Sequence, residues 1–259
     1  MIKTSRHDGV VTIALDRPEA LNALTRELAQ AVLDALRNAI VGGARAVVLT
    51  GTGRAFSAGA DLVAAAPAVA NGTAAERIGR DMREATNPLI EAITDSSVPV
   101  VCAVNGPCVG GAVGLALAAD IVVAARSAYF LIPQVATLGI VPDLGATWQL
   151  PRLLGRARAL GAQLLGERIP AQRAQDWGLI WKCVADESLA DEAMSIARRL
   201  AGVSAAAMRA TRGLTDAAPG AKLGGQLEQE RRLQVEFADS DFFRVAVERF
   251  KATSSPKTK

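Results

Sequence analysis

The stretch 98-VPVVCAVNGPCVGGAVGLALAADIVVAA-125 decides the fold. Its opening run, 98–106, is almost wholly apolar and ends at Asn105-Gly106, which predicts a strand buried on both faces. Gly110 and Gly111 then precede small and aliphatic residues over about 111–119, where a helix is expected. Asp120 marks the junction, read as a cap, and 121-IVVAA-125 predicts the next strand. Strand, glycine turn, helix and strand in one short span describe an α/β crossover, right-handed on general grounds.

The same alternation extends both ways. Upstream, 10-VVTIAL-15 and 45-RAVVLTG-51 predict strands. Between them 16-DRPEALNAL-24 turns the chain at Pro18, and a helix is expected over about 25–40. Thr25 is its N-cap, although Leu28 stands where a capping box needs an acid, and Gly42-Gly43 stop it. Residues 63–77 read as a mobile surface loop leading into a helix over about 76–95, which Pro88 kinks or divides. Downstream, 128-AYFLIP-133 predicts a further strand. Helical spacing follows over 144–165, then a short helix over 171–177 ended by Gly178, and an extended 179-LIWKCV-184. Helices are expected over 187–201 and 203–212, with one long helix over 226–250 and a disordered 253–259. The class is therefore α/β, with an α/β core over 1–195 and a helical region over 196–259.

Composition removes several kinds of chemistry. Half of the 259 residues are apolar, enough for a sizeable core. Lys and Arg total 29 against 26 Asp and Glu. Arg249, Lys251, Lys257 and Lys259 of that excess lie near the C-terminus, so the body is nearly neutral. Neither a basic patch with aromatics nor a known module points to nucleic acid. The one His is His7, which excludes a His-centred triad or a multi-His metal site within one chain. Cys102, Cys108 and Cys183 form no CxxC pair and read as free thiols of a reducing, cytoplasmic compartment. Cys108 has no His to activate it as a nucleophile. No secretory h-region or long apolar run suggests export or membrane insertion.

Two turns remain, 55-AFSAGADL-62 and 105-NGPCVGGAVG-114. Small residues directly after a strand let backbone N–H groups face a ligand, and a helix start favours negative charge. Each turn alone is equally an ordinary tight turn. Neither matches GxGxxG or GxxxxGK[ST], and the first strand lacks a following dinucleotide fingerprint.

Taken together with 17-RPEALNAL-24, 47-VVLTGTGRAFSAGADL-62, 99–125 and 138-LGIVPDLGATWQLPRLLGRARA-159, the turns resemble the enoyl-CoA hydratase/isomerase (crotonase) superfamily over about residues 10–250. The resemblance implies a spiral of repeated ββα units whose helical C-terminal region covers the site and the trimer interface. It also implies a homotrimer or dimer of trimers, an acyl-CoA substrate, and neither metal nor redox cofactor. By motif position the amides of Ala58 and Gly111 would form an oxyanion hole. Charge that develops on a thioester oxygen is held best by preorganised donors, each worth on the order of 3 kcal/mol.

The hydratase pattern carries two glutamates. Here Gly114 stands at one position, and Gln134 or Val135 at the other. What remains is Asp143, where isomerase-like and dehalogenase-like members carry a working Asp. The text around it is most similar to the phenylacetate-pathway branch that isomerises 1,2-epoxyphenylacetyl-CoA and also moves double bonds in enoyl-CoA chains. One carboxylate suffices for that chemistry if an apolar pocket raises its pKa. The plain alternative for Asp143 is a turn or a helix cap after Pro142, and Ala146 replaces the usual Gly of the motif. The resemblance also places Ala60, Asp61 and Leu62 beside the adenine or pantetheine, with Arg17 and Lys251 near the CoA phosphates. Asp61 is equally a cap for residues 62–66, and Arg17 and Lys251 are equally solvated charges. Hydration or hydrolysis through Asp143, and a noncatalytic acyl-CoA binder, stand as alternatives.

Overall fold

The computed structural model describes residues 1–254, which divide into two compact units, Met1–Gly202 and a second from Val203 onward. The first opens with a hairpin. Strand β1 (Ile2–His7) pairs antiparallel with β2 (Val10–Leu15) across Asp8 and Gly9, both at positive φ. Only β2 is expected from the sequence. β1, IKTSRH, is largely exposed and shows no apolar alternation, so its signal is the Asp-Gly pair itself.

Helix α1 (Arg26–Val41) follows, and Thr25 Oγ1 accepts from the Leu28 amide as the expected cap. Strand β3 (Ala46–Gly51) runs parallel to β2. The expected loop over 63–77 is instead two helices, α2 (Leu62–Ala70) and α3 (Ala74–Asp81), joined by a turn at Asn71-Gly72. Pro67 sits inside α2. Alanine's helix propensity outweighs the proline and glycine that argued for a loop. A π turn over Met82–Thr86 joins α3 to α4 (Asn87–Thr94) without leaving the helical conformation, so the interruption expected at Pro88 takes the form of a π turn just before it.

Strands β4 (Val100–Val104) and β5 (Cys108–Val109) precede α5 (Gly111–Leu117); β6 (Ile121–Ala125) and β7 (Tyr129–Leu131) precede α6 (Ala146–Leu165). Each pair places its first strand in a large sheet and its second in a small one. Strand β8 (Ile169–Pro170), helix α7 (Ala171–Asp176), strand β9 (Lys182–Val184) and helix α8 (Leu189–Leu200) complete this unit. The large sheet has the order β1-β2-β3-β4-β6-β9 and is parallel beyond β1; the small one has the order β5-β7-β8. This is an α/β fold of repeated ββα units. All five residues of β4 are buried, as a central parallel strand requires. Asp120 Oδ2 accepts from the Val100 amide, so it fastens the start of β4 and does not cap a helix.

The boundary expected between 195 and 196 would cut α8, whose Ala193, Ile196 and Ala197 are buried against the sheet side of the first unit. The second unit holds α9 (Ala205–Ala217), α10 (Leu223–Ala238) and α11 (Asp241–Ser254). The single helix expected over 226–250 is thus two, because Ser240 breaks it and its Oγ accepts from the Phe243 amide at the next start. Thr253 and Ser254, expected to be disordered, end α11. The rest of that expectation, with Lys257 and Lys259, lies outside the described residues. Among the described residues no helix is long and apolar enough to cross a membrane.

Candidate active site

The loop before the first turn is built on Asn22, which is fully buried and held at positive φ. Its Oδ1 accepts from the Arg17 amide at 2.8 Å, and its Nδ2 donates to the carbonyls of Thr52 and Ala55 at 2.9 and 2.8 Å. This one amide ties 17-RPEALNAL-24 to the end of β3. The motif was visible in the sequence, but the role of Asn22 was not, because Thr52 and Ala55 lie 30 and 33 residues away. Asn22→Ala is expected to lower stability by about 1–3 kcal/mol, since it strands buried backbone groups; urea denaturation of the two proteins checks it.

Within the first turn almost every amide is engaged. Ser57 N–H donates to Pro107 O, Gly59 N–H to Ser57 Oγ, and Asp61 N–H to Leu24 O. Ala58 N–H donates to Leu21 O at 2.9 Å. The expected donor Ala58 is therefore already committed, which corrects its assignment. Ala60 is different. Its neighbours Gly59 and Asp61 bond Leu24 as in a parallel ladder, so the polar groups of Ala60 point to the opposite side. Among the described residues no protein acceptor takes its N–H. A sequence pattern cannot separate positions 58 and 60; the pairing with Leu24 does.

In the second turn Val109 N–H donates to Ser57 O and Gly110 N–H to Leu131 O. Gly111 opens α5, so its amide is one of the free first-turn donors. The two turns touch through glycine. A Cβ on Gly59, which has φ +82°, would fall 2.5 Å from Val109 O and 3.5 Å from Gly110 Cα. The free amides of Ala60 and Gly111 thus follow directly on two abutting glycines.

Asp143 lies against the same place. Its Oδ1 is 2.9 Å from where a Cβ on Gly111 would sit. Helix α6 begins after Gly145 with no side-chain cap, so Asp143 is not a cap, but its carbonyl closes a turn by accepting from the Ala146 amide at 3.0 Å, as the plain alternative expects. The carboxyl is largely withdrawn from water, and burial pushes its pKa above the ordinary aspartate value, against the lowering effect of its own backbone and of Gln134. Gln134, buried, donates from Nε2 to Asp143 Oδ1 at 3.3 Å. Sequence reasoning placed Gln134 only as a missing glutamate. Gly114, the other such position, leaves room for backbone: a Cβ there would overlap Leu144 O and lie 2.8 Å from Leu144 C.

The flanking charges are tied down. Arg17 donates to Asp61 Oδ2 at 3.1 Å and to Ala23 O at 2.8 Å, so it is not a solvated charge. Asp61 Oδ1 caps α2 by accepting from the Ala64 amide at 2.9 Å. That amide, then Arg17, holds its carboxyl below the usual range. Leu62 is exposed beside it. Lys251 lies on α11 of the second unit. Burial drives the Cys108 thiol far above its ordinary pKa, so no thiolate is available there.

The family model for enoyl-CoA hydratase/isomerase matches residues 5–259. The 1,2-epoxyphenylacetyl-CoA isomerase of Escherichia coli K12 is 39% identical over 255 residues, 96% of this chain and 94% of that one. A probable enoyl-CoA hydratase of Rhodobacter capsulatus is 42% identical over 243 residues, covering 94% and 91% of the two chains. The crystal structure of an enoyl-CoA hydratase from Bacillus anthracis superposes with a TM-score of 0.86 at 30% identity, covering 100% of this chain and 98% of that one. Isomerase and hydratase names thus occur at similar identity, so the site must separate them. On the matched family model, the shared fold and the extent of these likenesses, the chain belongs to the enoyl-CoA hydratase/isomerase family.

Proposed function

We propose that this protein isomerises acyl-CoA thioesters through an enolate. The substrate class is an unsaturated enoyl-CoA or a ring epoxide such as 1,2-epoxyphenylacetyl-CoA. Asp143 takes a proton from carbon, and the amides of Ala60 and Gly111 hold the thioester oxygen as it gains charge. The observation that carries this reading is the setting of Asp143, a carboxyl with raised pKa beside Gly111, with Gly and Gln where a hydratase would need two glutamates. One base serves two carbons because the dienolate spreads its charge over both. The carboxyl that takes a proton at one carbon exchanges it with solvent while it holds it and returns one at the other carbon, so label enters but no water is consumed.

Binding of the CoA portion is assigned to the rim. Ala60 and Leu62 border the adenine or pantetheine, and the Arg17–Asp61 pair braces that edge. Lys251, on α11 of the second unit, is a separate candidate cation for CoA phosphates. Assembly as a homotrimer or dimer of trimers is proposed on family membership, and the exposed Phe242 and Leu223 of the second unit offer apolar surface to another copy.

The test is incubation with 3-enoyl-CoA and 2-enoyl-CoA in D2O, read by mass spectrometry. Double-bond migration with label uptake is expected. Because the carboxylate is the active form and its pKa is raised, the rate should fall on acidification at a pH above the ordinary aspartate range. A mass gain of one water favours the hydratase reading. Tight acyl-CoA binding with neither exchange nor product favours a noncatalytic binder.

A further inference from the structure

Gln134 has a feature that its bond to Asp143 does not explain. Its Nε2 donates to Asp143 Oδ1, yet its Oε1 is buried and has no hydrogen-bond partner. A buried acceptor without a donor is costly and rarely kept without a use. The amide is wedged between the second turn and the carboxyl: a Cβ on Gly110 would stand 3.6 Å from Nε2 and 3.9 Å from Cδ. Gly111, Leu144 and Gln134 lie together at Asp143, none of them is ionisable, and no charged side chain is among the causes that shift its carboxyl. Gln134 is thus the one side chain that hydrogen-bonds to the carboxyl among the described residues.

We propose that Gln134 is a positioning residue that serves both protonation states of Asp143. A carboxylate accepts only, and Nε2 donates to it. A carboxylic acid must donate, and a half-turn of the amide about its last side-chain bond presents Oε1 to accept. Either setting leaves one amide atom without a partner, so the orphan's cost is similar in both, and the stronger bond to the charged form favours the carboxylate. The carboxyl is held in one place while it carries the proton from one carbon to the other. Atoms balance without a co-reactant: the C–H bond breaks as the O–H bond forms, and the reverse step returns the proton to substrate.

This inference rests on the reading of Asp143 as the base, and the experiment separates the two. Solvent-proton exchange into an enoyl-CoA is followed against pH for the parent, Asp143→Asn, Gln134→Leu and Gln134→Glu, each checked for folding by circular dichroism. Gln134→Leu is expected to lower kcat for exchange about tenfold, the value of one hydrogen bond to a charged group, with KM nearly unchanged. Loss of the donor removes a stabiliser of the carboxylate, so the acid limb should move to higher pH. If the leucine variant does not fold, Gln134→Glu has nearly the parent's shape. A second carboxyl beside Asp143 should move the acid limb up as well. An unchanged limb and unchanged kcat in the folded variants overturn the proposal, even if Asp143→Asn is dead. Exchange that survives in Asp143→Asn overturns the base assignment and the proposal with it.

Discussion

Asp143→Asn is expected to lower solvent-proton exchange into an enoyl-CoA by about 10²–10⁴-fold, the usual worth of a positioned general base. KM should stay close to the parent value, because the side chain keeps its size and the CoA contacts lie elsewhere. The amide cannot take a proton from carbon, while the Ala60 and Gly111 amides remain to bind the thioester. The same variant makes a second prediction of opposite sign. The folded pKa of Asp143 is raised by burial. Its protonated form therefore contributes stability that is fully present below the unfolded pKa and lost as pH rises through the folded one. At neutral pH the buried carboxylate is a liability, so Asn should raise Tm while it abolishes exchange. Thermal melts at pH 5 and pH 8 read this directly: the gain must be larger at the higher pH. A loss of stability at pH 8 would show that the carboxylate is better solvated than its surroundings indicate.

Gly114→Ala carries the other large effect. Its added methyl would meet the Leu144 carbonyl from within the buried helix α5, with Asp143 O at 3.1 Å. The atoms in the way are backbone, which cannot rotate aside as a side chain can. Leu144 is itself at φ +50° and Gly145 at φ +80°, so the segment has little freedom to yield. A loss of about 1–3 kcal/mol is expected from such overpacking, with a fall in exchange because Asp143 moves with Leu144. Gly161→Ala in α6 is the control. A Cβ there meets nothing, and replacing a helical glycine should stabilise by about 0.5–1 kcal/mol. Urea denaturation of both, beside their exchange rates, decides it. Equal and small effects would mean that the 143–145 segment is not held against α5. The same geometry explains why a glutamate is absent at position 114. The backbone that delivers Asp143 fills the space such a side chain would need.

Several elements were legible because their signals are local. The apolar runs of β2, β3, β4 and β6 need only their own residues to predict a buried strand, and Thr25 and Gly178 mark helix ends by their own chemistry. Other elements were misread where two local signals conflict. Alanine favours helix over 63–77 while Pro67 and Gly72 argue against it, and only the packed chain resolves the matter. The break near Ser240 was missed because apolar spacing continues across it, although the Asp-Ser-Asp text held the signal.

At the site the division follows the same physics. The sequence by itself determined which kind of chemistry is available: one His, two glycine turns and Asp143 without the hydratase glutamates. Those are statements about residue types, which the chain carries wherever it folds. Tertiary structure alone decided which amides are free. Ala58 and Ala60 look alike in the text, but Leu21 takes the N–H of the first and pairing with Leu24 turns the second outward. It also decided that Asp143 loses water, that Gln134 supports it, and that Gly114 yields its space to Leu144. A hydrogen bond is used up, and a carboxyl is desolvated, by groups distant in sequence, so neither can be read until the chain has brought them together.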